Sequence, residues 1–223
     1  MAVIRWLGHA GFEIKISGVI LLVDPWLEGN PTAPLRVSDI SQADIVCVTH
    51  DHADHLGDAF EICKRTGATF VGTYELGLMA QEKGVRDVVG MNIGGTASVK
   101  GVMVTLVQAF HTAGCGAPTG FVVRGEGRTV YHAGDTGVFS DMALIGELYR
   151  PDVALLPVGG YYTMGPVEAA RAVELIKPKK VIPMHFKTFP VLEQSAEGFA
   201  RLVKEKTPEV EVVVLEPGET YEF

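Results

Sequence analysis

The sequence predicts an α/β (α+β) fold in which two β-sheets pack face to face between outer helices, forming a four-layer αββα sandwich. Three observations predict it. The chain opens with consecutive strand patterns, of which Phe12–Ile16 alternates apolar and polar residues. A second strand-rich stretch follows at 102–132. Each stretch is succeeded by alternating helix and strand patterns, and such units cover both faces of a sheet.

Strands can be assigned in order from apolar alternation, or from short apolar runs bounded by turn residues. The first set covers residues 2–7, 12–16, 19–23, 45–49 and 68–71, with a Pro- and Ser-containing loop at 30–41. The second set covers residues 102–110, 120–124, 129–132, 153–156, 180–183 and 210–214.

Helices follow from apolar residues at helical spacing. They cover residues 56–65, 74–83, 142–149, 167–176 and 196–206. Pro166 suits the first position of its helix, where a missing N–H costs nothing, and Lys177-Pro178 ends that helix.

Length and composition indicate one globular domain spanning 1–223. Its two pseudo-symmetric halves are expected at approximately 1–115 and 116–223. Apolar residues make up 47% and charged residues 21%, which is ordinary for a folded protein. The net charge of −8 argues against a nucleic-acid partner, because such binding needs a basic surface. A small molecule is the expected partner, and homo-oligomerisation is left open.

Cysteine usage and hydropathy indicate the cellular compartment. Cys47, Cys63 and Cys115 are an odd, widely spaced set without a CxxC pair, so a reducing cytoplasm is expected. Charged residues interrupt the apolar residues of the first 23 positions, so no signal peptide is expected. No stretch is long and apolar enough to span a bilayer, and no membrane partner is expected.

The stretch from Thr49 to His55 carries the strongest chemical signal, an H-x-H-x-D-H pattern after a predicted strand. His50 and His52, two residues apart, can point to one side of the chain. Asp54 and His55 follow where the loop turns toward a helix and can reach a neighbouring point. This pattern suits two adjacent cations. The alternative is a solvated, charged loop.

Three further candidate ligands also follow predicted strands. His111 follows 102–110, Asp135 follows 129–132 and His185 follows 180–183. Gly134 permits close backbone approach beside Asp135. Each residue alone would more often be a hydrogen-bonded structural group, but three in this order favour a metal site, since strand-end loops carry chemistry.

These motifs resemble the metallo-β-lactamase superfamily. Nearly the whole chain is similar to a subfamily of largely uncharacterised metal-dependent hydrolases, akin to ascorbate-6-phosphate lactonases. The matching segments are 6–9, 23–25, the His50 loop, 109–111, 132–137, 159–166 and 182–185.

The resemblance implies a dinuclear centre of two divalent transition-metal ions. One ion would be held by His50, His52 and His111, and the other by Asp54, His55 and His185, with Asp135 bridging. No ligand position is substituted. Redox relatives carry Glu at the position of His52, so a di-iron oxygen or nitric-oxide reductase is not expected, nor is a single-metal β-lactamase. Zinc is the first choice, with manganese or iron as alternatives.

Two residues near the predicted ligands have candidate roles. Asp24, which ends the third strand, is expected to hydrogen-bond a metal-binding histidine, as in the superfamily. The alternative is a turn carboxylate before Pro25. His9, between Gly8 and Gly11, is expected to bind substrate or to donate a proton, and the alternative is an exposed turn histidine. Asp54 is a catalytic candidate as well as a ligand.

Four more residues have candidate roles. Tyr161 and Tyr162 lie between a Gly pair and a helix start, where an aromatic residue can wall a pocket, although packing is almost as good an explanation. Lys187 could meet an anionic group of the substrate, against the usual solvated lysine. His132 is expected to be structural.

The function expected from this site is metal-dependent hydrolysis. Two cations roughly 3.5–4 Å apart can share a water and lower its pKa from about 15.7 to about 7, which gives hydroxide at neutral pH. The lactonase resemblance favours an ester or lactone bond of a small substrate. A phosphodiesterase is the alternative, because the Gly-His turn recurs in phospholipase-D-type relatives. A non-catalytic metal-binding protein is the second alternative.

Overall fold

Runs of consecutive strands are followed by alternating helices and strands in the chain, of which the computed structural model describes residues 2–223. The strands are β1 Val3–Trp6, β2 Phe12–Ile16, β3 Val19–Val23, β4 Ile45–Cys47, β5 Thr69–Thr73, β6 Val88–Met91, β7 Thr96–Val99, β8 Val102–Gln108, β9 Thr119–Gly125, β10 Arg128–His132, β11 Val153–Pro157, β12 Lys180–Met184, β13 Glu211–Val212 and β14 Thr220–Glu222. The helices are α1 Ala53–Leu56, α2 Ala59–Thr66, α3 Tyr74–Glu82, α4 Met142–Tyr149, α5 Pro166–Ile176 and α6 Glu197–Lys206, with a 3₁₀ turn at Val37–Asp39.

The strands form two sheets of seven strands each. The first has the order β14-β1-β2-β3-β4-β5-β6 and the second β13-β12-β11-β10-β9-β8-β7. In each sheet one half is antiparallel and the other half parallel. The change falls at β3 in the first sheet and at β10 in the second. This common plan accounts for the strand runs followed by αβ units in the sequence.

Side-chain alternation along the strands separates the layers. In β3, Leu21 belongs to the core between the sheets, whereas Leu22 packs in a second core with α2 and α3. In β4, Ile45 and Val46 divide in the same way, because successive strand residues point to opposite faces. The main core also holds buried residues of α4, α5 and α6. The layers are therefore helix, sheet, sheet and helix, and the predicted αββα sandwich is confirmed.

Sheet membership does not follow the predicted halves strictly. β7 and β8 precede residue 115 yet lie in the second sheet, and β14 at the chain's end pairs with β1 in the first sheet. The division of the domain near residue 115 stays a prediction. Among residues 2–223, none of the helices has the length and apolarity needed to cross a bilayer.

Candidate metal centre

The candidate ligands meet at one edge of the sandwich because they follow strands of both sheets. His50 comes three residues after β4, and Asp24 directly follows β3 beside it. In the second sheet, Asp135 follows β10 and His185 directly follows β12. Neighbouring parallel strands end at the same edge of a sheet, so the two sheets together bring these side chains into one place.

The chain between β4 and α2 turns sharply. His52 immediately precedes the single helical turn α1, and its carbonyl accepts the Leu56 N–H at 2.8 Å. That turn carries Asp54 and His55. The H-x-H pattern is therefore extended, whereas the D-H pair lies on a helical turn, and the four side chains address two neighbouring points.

His50, His52 and His111 form the first group of ligand atoms. The Nδ1 of His52 lies 2.9 Å from the Nε2 of His50 and 3.3 Å from the Nε2 of His111. The three nitrogens lie within 4.8 Å of one another. Three imidazoles facing each other in this way match the ligand chemistry of a zinc-like cation.

Asp135 stands at the centre of the second group. Its Oδ1 lies 3.2 Å from the Nε2 of His55, and its Oδ2 lies 3.1 Å from the Nε2 of His185. The same Oδ2 lies 3.5 Å from the Nε2 of His111, so Asp135 contacts both groups. Asp54 joins the second group, with its ligand atom within 4.8 Å of those of His55 and His185.

Several of these atoms are buried without a hydrogen-bond partner. They are the Nε2 of His55, both ring nitrogens of His185 and the Oδ1 of Asp135. The close contacts with Asp135 thus lack hydrogen-bond geometry. Buried polar atoms are nearly always satisfied, and unsatisfied ones that converge on one point need an explanation. A cation among them would satisfy the Nε2 of His55, the Nε2 of His185 and the Oδ1 of Asp135, so the residues present fit a metal ion.

Asp24 and Thr49 fix the orientation of two histidines. Asp24, fully buried, accepts the Thr49 N–H at 2.8 Å, the Thr49 hydroxyl at 2.7 Å and the Nδ1–H of His55 at 2.7 Å. The Thr49 hydroxyl proton is thereby used, and its oxygen accepts the Nδ1–H of His50 at 3.0 Å. Both histidines thus use Nδ1 for these hydrogen bonds and direct Nε2 into the cluster.

Burial and charge shift the pKa values of the cluster. Burial lowers the pKa of His50 to about 3, and it also lowers that of His111. Burial would raise the pKa of Asp135, but the neighbouring His55 and His185 hold it well below its usual range. His55 behaves oppositely: burial lowers its pKa, but Asp135 and Asp24 raise it well above the usual value. Two buried carboxylates thus favour positive charge at His55.

His9 is buried, not an exposed turn residue. Its Nδ1 lies 2.8 Å from the Thr188 hydroxyl and its Nε2 lies 3.1 Å from the Oδ2 of Asp54. Because a neutral imidazole carries one N–H, Nε2 donates to Asp54 and Nδ1 accepts the Thr188 hydroxyl. Burial lowers the pKa of His9 to about 4 despite the Asp54 hydrogen bond. His9 does not line the cleft described next, and its role in binding substrate or donating a proton stays a prediction.

An open cleft of about 580 Å³ lies over the cluster. Its floor includes His52, Asp54 and His185, and its walls include the aromatic residues Trp26, Tyr162 and Phe189. A second groove of about 660 Å³ lies between α4 and α5 and contains none of the candidate ligands.

The other predicted site residues differ in their placement. Tyr162 lines the cleft, but its neighbour Tyr161 does not and is 77% exposed. Lys187 is also outside the cleft, and its ammonium lies 3.4 Å from Glu216, so the expected contact with an anionic substrate group is not supported. His132 is a structural residue as predicted: its Nε2 donates to the Ala10 carbonyl and its Nδ1 accepts the Gly134 N–H.

Four residues of the site were missed by sequence reasoning: Trp26, Thr49, Thr188 and Phe189. Thr49 had a usable signal, since a hydroxyl directly before a strand-end histidine can reach neighbouring rings. The other three carry no local pattern, because they approach the site only through tertiary packing.

The αββα sandwich, with histidines and aspartates converging where strands of both sheets end, defines a metallo-hydrolase of the metallo-β-lactamase fold. The profile of the beta-lactamase superfamily domain matches residues 3–185. The chain belongs to this superfamily and, within it, to the UPF0173 metal-dependent hydrolases.

Three similar proteins support this assignment. A UPF0173 metal-dependent hydrolase of Methanopyrus kandleri is 57% identical, with 98% of this chain and 99% of the relative covered. One from Staphylothermus marinus is 51% identical, with 100% of both covered. The solved structure of Igni18, a novel metallo hydrolase of Ignicoccus hospitalis, is 41% identical with a TM-score of 0.93, covering 100% of this chain and 99% of that one. The protein is therefore an enzyme, a metal-dependent hydrolase. The resemblance to ascorbate-6-phosphate lactonases stays a prediction.

Proposed function

We propose that this hydrolase works with two divalent transition-metal ions and cleaves an ester or lactone bond of a small substrate. His50, His52 and His111 would hold one ion. Asp54, His55 and His185 would hold the other, with Asp135 between the two. The observation that carries the proposal is the set of buried, unsatisfied atoms of His55, His185 and Asp135. Zinc suits this donor set first, and manganese or iron would also fit.

Bound there, two divalent ions would make a shared water acidic and polarise the bond under attack. The protein's own residues prepare the site for this chemistry. Asp24 and Thr49 hold His55 and His50 with Nε2 directed inward. Burial would raise the pKa of Asp54, but the hydrogen bond from His9 and the nearby His55 hold it below the usual value. Asp54 is therefore a carboxylate at the cleft floor, able to orient a water or accept its proton.

His9 is proposed as a positioning residue for Asp54. The Nε2 of His9 contacts one carboxylate oxygen of Asp54, and Thr188 anchors the other side of the imidazole. Replacing His9 with Ala would free Asp54 to rotate. The expected result is a lower kcat with a smaller effect on KM, because His9 does not line the cleft.

The partner and compartment follow from the same features. The cleft volume of about 580 Å³ suits a small molecule. The net charge of −8 supports the absence of a nucleic-acid partner. Cys47, Cys63 and Cys115 are all free thiols, which supports a cytoplasmic location.

The test is a substrate screen on protein reconstituted separately with zinc, manganese and iron. The panel contains neutral esters, lactones and bis-p-nitrophenyl phosphate. We expect turnover of esters or lactones that is lost on chelation and lost in Asp54→Asn. Asp51→Asn is the matched control, because Asp51 lies in the same loop but contacts Gly114 and no ligand.

Two outcomes contradict the proposal. Turnover of the phosphodiester without turnover of any ester or lactone would assign the enzyme to phosphodiesters. If the Asp54→Asn enzyme were as active as the Asp51→Asn enzyme, Asp54 would have no role in the site.

A further inference from the structure

The cleft beside the metal cluster has an aromatic wall. Trp26 and Phe189 are stacked, with ring centroids 6.0 Å apart and an interplanar angle of 26°. The ring of His9 packs edge-on against both, at 5.4 Å from each centroid, and this holds the pair in place. Tyr162, 53% exposed, is the third aromatic residue of the lining.

The lining carries no cationic side chain. Within residues 2–223, the charged groups that face the cleft are the carboxylates of Asp54 and Asp135, and no Lys or Arg lines it. Lys187 is outside the cleft near Glu216. An anionic substituent held away from the metal cluster would therefore lose its hydration without gaining a partner, which is costly. The chain's net charge of −8 adds to that repulsion.

We propose that the cleft selects uncharged esters or lactones with an aromatic or similarly flat apolar group, which packs against Trp26, Phe189 and Tyr162. This inference rests on the proposed hydrolase function and names the substrate class of the same site. It sets this enzyme apart from hydrolases of phosphorylated lactones, because a phosphate tail finds no partner along the wall.

The reaction converts a neutral ester into an anionic product. Water adds to the acyl carbon and the acyl–oxygen bond breaks. The alkoxide leaves with one proton of that water, and the carboxylic acid product releases the other. A neutral substrate thus becomes an anion, and the aromatic wall offers that anion no cationic side chain.

A set of three acetates with leaving alcohols of similar basicity tests the selectivity. They are benzyl acetate, methyl acetate and 4-carboxybenzyl acetate. The metal-loaded enzyme is expected to show a kcat/KM for benzyl acetate about tenfold or more above that for each of the other two, since only benzyl acetate buries a neutral ring.

Variants locate the effect on the wall. Phe189→Ala and Tyr162→Ala are expected to lower the ratio of kcat/KM for benzyl acetate to that for methyl acetate by about fivefold, mainly through KM for benzyl acetate. Tyr74→Ala is the control, because Tyr74 is an exposed aromatic residue that lies outside the cleft. This control variant should leave kcat/KM unchanged for both benzyl acetate and methyl acetate.

A binding measurement makes the test independent of turnover. N-benzylacetamide, a neutral amide of the same shape, should change the Trp26 fluorescence of the enzyme, whereas its 4-carboxy derivative should not. The change should be absent in Trp26→Phe, which retains Trp6.

The outcomes separate this inference from the proposed function. Metal-dependent turnover of all three acetates at similar kcat/KM, or equal binding of both amides, would overturn the substrate class and leave the hydrolase function standing. Selective binding of the neutral amide supports the substrate class even where the acetates are poor substrates. Absence of binding together with absence of turnover of every ester and lactone would overturn both.

Discussion

Replacing Asp24 with Asn tests whether this buried carboxylate prepares His55 for metal binding. Asp24 accepts three hydrogen bonds, one of them from the Nδ1–H of His55. The Asn side chain has almost the same shape, and its carbonyl can still accept the Thr49 N–H. Its amide group, however, would donate to the Nδ1 of His55. In neutral His55 the remaining proton would then reside on Nε2, the atom that a metal ion would need.

The size of the effect follows from the role of such partners. Loss of a hydrogen-bonding partner behind a metal-binding histidine costs about 10- to 100-fold in metal affinity. That range is about 1.4–2.7 kcal/mol of binding free energy. Folding should also weaken, by about 1–3 kcal/mol, because a buried charged acceptor is replaced.

Asp152→Asn is the control for the folding effect. Asp152 is 7% exposed and accepts the Thr129 N–H at 2.8 Å and the Lys179 ammonium at 2.7 Å, with no histidine as partner. It should lose stability but keep metal affinity. The assay is competition with a chromophoric chelator, alongside urea unfolding of the metal-free proteins. Wild-type metal affinity in a folded Asp24→Asn protein would refute the reasoning.

Three further predictions follow from the buried groups. Metal-free protein should lose stability below pH 6.5, because the pKa values of His9 and His50 fall from 6.5 to about 4 and about 3 on folding. The unfolded chain binds those protons first, which costs about 3 kcal/mol per histidine by pH 4, and urea titrations at several pH values measure the slope. Metal binding near pH 7 should release a proton from His55, because the pKa of His55 is raised. The calorimetric enthalpy of metal binding should then vary with the ionisation enthalpy of the buffer. An enthalpy that is the same in all buffers would contradict this proton release. Gly134→Ala should destabilise the protein by more than about 1 kcal/mol, because φ is positive there and a Cβ would lie 2.5 Å from the Thr119 carbonyl; an unchanged urea midpoint would contradict this.

Most of the fold could be predicted from the sequence, because burial of apolar side chains gives strands and helices recognisable apolar patterns. β2 and β3 have the predicted bounds, and α4 spans the predicted 142–149. β6, β7 and β14 were missed. They are only three or four residues long and mostly half-exposed or exposed. β7 and β14 show no apolar run, Gly90 interrupts the apolar β6, and pairing with a neighbouring strand defines all three.

The residues of the site also differ in how well the sequence predicts them. His50, His52, Asp54 and His55 could be recognised together because ligand spacing in one loop is a local property. The aromatic wall could not, since Phe189 meets Trp26 across the fold from a distant part of the chain. Lys187 was proposed from its position in the sequence alone. Its position two residues after His185 suggested a role, but its backbone adopts positive φ and its side chain lies beside Glu216 instead.

The central claim is that two groups of side chains hold two metal ions. Anomalous diffraction from crystals of the zinc-loaded protein, measured on both sides of the zinc absorption edge, tests it most directly. We expect two peaks per chain, one about 2.0–2.1 Å from the ring nitrogens of His50, His52 and His111, and one at the same range from His55 and His185. A single peak, or peaks away from these residues, would contradict it.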